Sequence, residues 1–508
     1  MFQSQNPSRI AFVFVFTLTL VWGLIPTFLF PNPPLDVVIS YAWSRDFALG
    51  YTQHPPLLSW LLDGAYRLTG GVVAVAYWLS QLSMVISYWM IWLIARRLGL
   101  TTAEAFFAIV INSVTFYFTL PTPEFNHNII QIPIWLVMIY LFHRAITGGR
   151  LADWLLLGVV SGVGLLSKYS VALLIGCIGL YALVFADVRR YLLTPGPYVA
   201  ALIGILVFVP HALWLVETDF LTFTYAVDRT IPAESWLDHL LHPIDFLLAQ
   251  IGALAPALLV IASLLGLLWR RAEPRAVERE RFWSSFQDRA SKRFALWFLL
   301  LPLSTVLIAS FVTGSEFRHM WGVPMFGLLG IAVVGFLAPR IEHVQPALFW
   351  GATLSLHAVF LVIVLGQALI EPLWKTKPSR VLYPGAEIAE HVSDLWQDAQ
   401  GTPLTHIAGD TWVAGNVTLF SPDRPHLIVN HSYEQSPWID PQEVSTTGVM
   451  LIWTGEATAM PDAFKIRYPD LEASGTATFN QQTWVNDAAK VTVSWAIIKP
   501  EDTVTVDP

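Results

Sequence analysis

Residues 35–60 read LDVVISYAWSRDFALGYTQHPPLLSW, directly after a first apolar run at Ile10–Phe30. Asp36, Ser40 and Ser44 recur every four residues, one polar face of a helix, beside an apolar face of Ile39, Trp43 and Phe47. Gly50 is a natural helix stop. His54-Pro55-Pro56 ends an extended linker, and Leu57, Leu58, Leu61, Leu62, Ala65 and Leu68 form a second apolar stripe. Two short helices lying on a membrane surface, with an acid and a histidine between them, have the composition of a site rather than of a connection.

The whole chain agrees with a membrane setting. Its 508 residues are 55% hydrophobic and 13% charged, with a mean hydropathy of +0.55. Long apolar runs of this kind belong in a bilayer. The 22 Trp and 15 Tyr suit many membrane interfaces, where amphipathic rings settle. The single Cys, Cys177, excludes an intrachain disulfide. Ile10–Phe30 is too long for a signal-peptide core and lacks a small-residue cleavage site, so it reads as a retained span.

Eleven spans are expected, at 10–30, 72–95, 103–120, 128–143, 152–167, 169–186, 197–216, 246–268, 294–313, 319–337 and 346–370. With a cytoplasmic N-terminus the inside loops hold 16 Lys/Arg and the outside loops five, which satisfies the positive-inside rule. The basic loop 270–293 is then a cytoplasmic segment facing anionic head groups, or a solvated linker. The same topology puts Asp36, His54, Glu124, Lys168, Arg229, Arg318 and His319 on one, non-cytoplasmic side. The candidate polar groups therefore gather at one face of the membrane.

Residues 375–508 are polar and acidic, with eight Lys/Arg against 17 Asp/Glu, whereas 1–374 is nearly neutral. Strands are expected at His406-Ile-Ala, Asn416-Val-Thr-Leu-Phe, Leu427-Ile-Val-Asn, Val449-Met-Leu-Ile-Trp and Trp495-Ala-Ile-Ile, after a helix at Ala386–Gln397. The fold class is therefore a polytopic α-helical membrane protein with a C-terminal soluble α/β domain. The boundary is expected between residues 374 and 375, with an amphipathic first external loop at 32–71. Nothing in the charge pattern suggests nucleic acid.

An acid after the first span followed by G-Y-x-x-H-P-P-L-x-x-W resembles the first external loop of GT-C glycosyltransferases that use polyprenyl-phosphate sugars. These are the relatives of protein O-mannosyltransferases and lipid A aminoarabinose transferases, glycosyltransferase families 39 and 83. Thr122-Pro123-Glu124, Leu165-Leu166-Ser167-Lys168-Tyr169 and Arg318-His319 extend the resemblance over roughly Pro31 to Phe336. The chain departs from the pattern at two points: Leu35 precedes Asp36 where many relatives carry a second acid, and His54 stands where many carry Lys.

The resemblance implies a donor of polyprenyl-phosphate sugar, a glycan, lipid or protein acceptor, membrane lipids as surroundings, and inversion in one displacement at the outer face of a bacterial cytoplasmic membrane. Each site residue also has a plainer role. Asp36 fits the general base that takes the acceptor's proton, and equally a cap of a helix beginning at Val37. Glu124 fits a second acid positioning the acceptor, a metal or Lys168, or simply an acid at the N-terminus of the fourth span. Lys168 fits a cation on the leaving phosphate, or a snorkelling lysine.

His54 would bind the donor phosphate or lock the Pro-Pro turn. Arg318 and His319 would bind phosphate, with Glu316 as their partner. Asp228-Arg229 and Asp238-His239 read as solvated. No cofactor is assigned; a divalent metal stays open, although His406, His426 and His431 lack metal-ligand spacing. A transporter of lipid-linked sugars and a non-catalytic envelope scaffold are the competing classes; the gathering of charge on one face favours the enzyme.

Overall fold

The computed structural model describes residues 7–269, 286, 288–337 and 346–500. Most of the basic loop 270–293, and Arg340, lie outside the described residues. Three helices open the chain: α1 (Pro7–Leu29), α2 (Leu35–Ser44) and α3 (Leu57–Leu68). The two amphipathic segments of the first loop are thus helices, as their periodicity requires.

All eleven expected spans fall on helical segments. Among the described residues six helices are long and apolar enough to cross a bilayer alone: Pro7–Leu29, Val75–Arg97, Gly196–Glu217, Asp238–Ala262, Arg289–Thr313 and Phe349–Leu369. Two further spans are bent pairs, Val171–Val184 with Ala186–Leu193 at 98° and His319–Phe326 with Leu329–Phe336 at 51°. Length and composition therefore support six crossings, or eight with the bent pairs. The three others, Thr102–Ser113, Gln131–Gly148 and Leu151–Ser167, are shorter or more polar. The first two are buried along most of their length, so protein rather than lipid surrounds them.

Helix contacts here depend on small residues, as expected where lipid tails are as apolar as leucine. A methyl group at Gly158 or Gly162 would strike the backbone of Ala200 or Gly204, so Leu151–Ser167 and Gly196–Glu217 touch backbone to backbone. The bend in the last bent pair frees backbone groups that need partners. Buried Asn112 supplies them: its Nδ2 donates to the carbonyls of Phe326 and Gly327, both at 3.1 Å, and its Oδ1 accepts from the Gly330 N–H at 2.7 Å. Gln250 donates to the His319 carbonyl at 3.1 Å and accepts from the Tyr117 hydroxyl at 2.5 Å. The broken span is fixed at both ends of its first half.

The C-terminal part is a five-stranded sheet of order β2-β1-β3-β5-β4, with β1 (His406–Gly409), β2 (His426–Val429), β3 (Val449–Thr454), β4 (Gly475–Asn480) and β5 (Lys490–Ile498). The pairs β1–β2 and β1–β3 are parallel; β3–β5 and β4–β5 are antiparallel. Four expected strands are present. The fifth, Asn416–Phe420, lies instead in the helix Val413–Phe420. Asp410 decides this locally, because its carboxylate accepts the N–H groups of Trp412 and Val413 at 2.8 and 3.0 Å and nucleates the first turn. Tertiary packing completes it: Gly415 lets that helix lie on Val38 and Ala42 of α2. The edge strand β4, built of small and polar residues, gave no apolar run to detect.

Candidate active site

The loop after α1 is pinned at several points before any charged group is placed. The Tyr51 ring stacks on Trp43 with centroids 5.5 Å apart, and its carbonyl accepts from Thr222 at 2.5 Å. His211 bridges the Leu49 carbonyl at 2.7 Å and the Tyr169 hydroxyl at 2.8 Å. Thr52 donates to the Gln435 carbonyl at 2.5 Å. Loop, spans and sheet therefore hold one another.

Asp36 sits in the first turn of α2. The helix begins one residue before it and its N-cap is Pro34, so Asp36 is not the cap that a start at Val37 would have made it. Its N–H donates to Glu124 Oε1 at 3.1 Å, and the Asn126 side chain hydrogen-bonds its carboxylate. Glu124 does not open a span either: the next helix starts at Gln131, and Glu124 lies in a run of turns. The helix-dipole reading of Glu124 falls with that. Ser80 donates to the Thr122 carbonyl and fixes the turns from below.

Lys168 ends the helix Leu151–Ser167 in an extended conformation. Its ammonium does not reach for solvent; it donates to Asn128 Oδ1 at 2.5 Å and lies 5.8 Å over the Trp321 ring. His54 stacks on buried His127 with centroids 3.8 Å apart, and Tyr225 meets it edge-on at 6.3 Å. Arg229 lies 5.8 Å over Tyr225. Arg229 is exposed, in keeping with a solvated arginine, and its charge also bears on both Asp36 and His54.

The late span contributes unequally. The charge of Arg318 bears on Tyr225, whose ring meets His54. His319 pairs with Asp245 at 2.8 Å, both well exposed. Glu316 is the partner of neither; its backbone bridges Ile231, with N–H to carbonyl distances of 2.9 and 3.4 Å. Asp238 is likewise engaged locally, accepting the N–H groups of Glu234 and Ser235.

The acids and bases of the cluster, all outside the spanning helices, shift one another. Burial raises Asp36 above the ordinary carboxylate range, against the charges of Lys168, Arg380 and Arg229 and the Asn126 hydrogen bond. Burial, then the Asp36 carboxylate beside it, pushes Glu124 up to about 7; the Asp36 N–H and Arg380 oppose this. Burial lowers Lys168 to about 8, with Asp36 opposing. Burial, then the charges of Lys168 and Arg229, lowers His54 to about 3, leaving a neutral imidazole. A carboxylate flanked by cations with a neutral hydrogen-bond donor nearby can accept a proton at one end and hold an anion at the other. Among the described residues no group of three or more His, Cys, Asp and Glu is placed to hold a metal ion.

Five contributors were missed from the sequence. Asn126, His127 and Asn128 sit in the same T-P-E-F-N-H-N run as Glu124, and their density between two apolar runs was a usable signal. Trp321 gave none among 22 Trp. Arg380 lies beyond the resemblance altogether, yet its charge acts on both acids.

The family profile described as dolichyl-phosphate-mannose-protein mannosyltransferase matches residues 53–214. The lipopolysaccharide core galacturonosyltransferase RgtA of Rhizobium johnstonii is 24% identical, with 85% of each chain covered. The undecaprenyl phosphate-alpha-4-amino-4-deoxy-L-arabinose arabinosyl transferase 1 of Pseudomonas fluorescens is 25% identical over 70% of this chain and 59% of that one. The crystal structure of ArnT from Cupriavidus metallidurans bound to undecaprenyl phosphate superposes with a TM-score of 0.60 at 14% identity, covering 95% of this chain and 97% of that one. An ArnT-like bundle with a small C-terminal sheet, the mannosyltransferase profile across the site loops and transferase relatives along most of the length converge on one conclusion: the chain is a membrane glycosyltransferase of the GT-C type.

Proposed function

We propose that the protein moves a sugar from a polyprenyl phosphate to a hydroxyl of lipid A or of the lipopolysaccharide core, at the outer face of the cytoplasmic membrane. The observation that carries this is the cluster itself: the Asp36 N–H bonds the acidic partner Glu124, and the charges of Lys168 and Arg229 bear on its buried carboxylate. Asp36 takes the acceptor's proton as the new glycosidic bond forms. Lys168, with Arg229 and Arg318, holds the phosphate whose charge grows as the bond to the anomeric carbon breaks. His54, being neutral, offers one hydrogen bond, and Glu124 fixes the start of α2. His319, turned to Asp245, has a lesser part.

The 16-to-5 distribution of Lys/Arg supports an inside N-terminus. The sheet domain, from about residue 375, then lies on the outside with the site. The acceptor follows from relatives named for the lipopolysaccharide core and for lipid A. Since three of the relatives are named galacturonosyltransferases, polyprenyl-phosphate galacturonic acid is the first donor to test. Purified protein in detergent, where transport has no meaning, is incubated with that donor and lipid A or core glycolipid. A product heavier by one hexuronic acid residue, seen by mass spectrometry and absent with Asp36→Asn, supports the reading. No consumption of any polyprenyl-phosphate sugar refutes it.

A further inference from the structure

The cations around Asp36 come from two sources. Lys168 and Arg229 belong to loops between spans, and both act on Asp36 and His54. Arg380 comes from the segment leading into the sheet domain and acts on Asp36 and Glu124. Asp36 is the one group that meets all three. The cluster is thus a row: the cations Lys168 and Arg229 beside neutral His54, the base in the middle, and Arg380 beside Glu124, its segment tied to the start of α2 by the Asn32–Val381 bond and by Trp412 packing on Val37 and Val38.

The Arg380 end of the row is built with care for a single exposed arginine. Its backbone is clamped on both sides: the Asn32 N–H donates to the Val381 carbonyl at 3.2 Å, the Ser379 N–H to Gln481 Oε1 at 2.8 Å, and the Gln482 N–H to the Leu382 carbonyl at 3.0 Å. The guanidinium lies 5.9 Å over the Trp412 ring, which Tyr383 meets edge-on at 5.0 Å. Among the described residues no carboxylate forms an ion pair with Arg380. A fork of donors held on an aromatic face, with its charge uncommitted, suits a phosphate or carboxylate oxygen.

In a single displacement the incoming oxygen and the leaving phosphate occupy opposite faces of the anomeric carbon. The acceptor oxygen forms the new bond as the bond to phosphate oxygen breaks; the acceptor's proton passes to Asp36, and polyprenyl phosphate leaves with the electron pair. If Lys168 and Arg229 take the phosphate, the acceptor must enter from the other end of the row. We propose that Arg380, seated on Trp412, binds an anionic group of the acceptor glycolipid, a phosphate or an acidic-sugar carboxylate, and so aims the acceptor hydroxyl at Asp36. This rests on the transferase reading above and adds the acceptor's chemistry to it.

The test is two-substrate kinetics on full-length protein, wild type against Arg380→Ala and Arg380→Lys, with melting temperature as the control for folding. Acceptors are lipid A bisphosphate, enzymatically dephosphorylated lipid A, and dephosphorylated lipid A carrying acidic core sugars. Arg380→Ala should raise the KM for the bisphosphate about tenfold or more, leave the donor KM unchanged and lose the preference for charged over dephosphorylated acceptor. Arg380→Lys should recover part of it. Whether acidic core sugars restore wild-type KM on the dephosphorylated lipid tells carboxylate from phosphate. A rise in donor KM, or an unchanged acceptor KM, overturns the assignment. Binding of lipid A bisphosphate to protein in nanodiscs without donor decides the point even if no donor turns over: equal affinity of wild type and Arg380→Ala is the refuting result, while failure of all donors refutes only the transferase reading.

Discussion

Lys168→Met separates chemistry from stability more cleanly than any other change in the site. Its lowering from 10.5 to about 8 corresponds to a cost of about 3 kcal/mol for carrying a buried charged ammonium at neutral pH. The sign follows from proton counting: between pH 8 and 10.5 the unfolded chain binds more protons, so this group lets stability rise with pH. Removing the charge lifts that cost, but it also takes the donor from Asn128 Oδ1, and an orphaned buried acceptor costs about 1–3 kcal/mol. The two nearly cancel. Lys168→Met should therefore melt within a few degrees of wild type at pH 7 while turnover falls about 10²–10³-fold, the scale for losing one charge stabiliser of a transition state. The assay is turnover of a polyprenyl-phosphate sugar in detergent beside thermal melting. Turnover equal to wild type, or a loss matched by a collapse in melting temperature, would refute the reasoning.

Wild-type turnover should fall as pH rises through about 8, where Lys168 loses its proton; in Lys168→Arg that alkaline limb should vanish, although the planar fork lowers the plateau, and a limb that stays put would assign it to another group. Asp36→Asn should cost about 10²–10⁴-fold in turnover with α2 intact by circular dichroism, since Pro34 and not Asp36 caps the helix. Residual activity near wild type would leave the transfer without its base. His319→Ala should change turnover by less than about threefold, because its imidazole is spent on exposed Asp245; a loss comparable to that of Lys168→Met would return it to the phosphate site.

The bundle and the first loop were legible because periodicity reports burial directly: the stripes at 35–44 and 57–68 are helices, and every long apolar run is helical. The broken span was not legible, since its bend depends on Asn112 and Gln250, which are distant in sequence. Asn416–Phe420 reads as a strand because Val417, Thr418 and Phe420 favour one, and only the Asp410 turn and the α2 surface override them. Asp36, His54, Glu124 and Lys168 stood out as polar groups between apolar runs. Arg380 and Arg229 did not, because a surface arginine becomes a site residue only through what the fold brings opposite it.

The packing of α2 against the sheet domain has a consequence for how the enzyme is made. Val37, Val38, Tyr41 and Ala42 are fully buried, and Leu419 shares their apolar cluster while Gly415 seats against Val38 and Ala42. These covering residues are synthesised more than 370 positions after the helix they cover. During synthesis the spans can insert one after another, but the helix carrying Asp36 has no cover until the last quarter of the chain has been made and folded. The proposed row, too, is completed only when the segment carrying Arg380 has been made. A chain cut short before residue 413 would insert into the membrane and remain inert, so an unfinished copy could not hydrolyse or misplace the lipid-linked sugar around it.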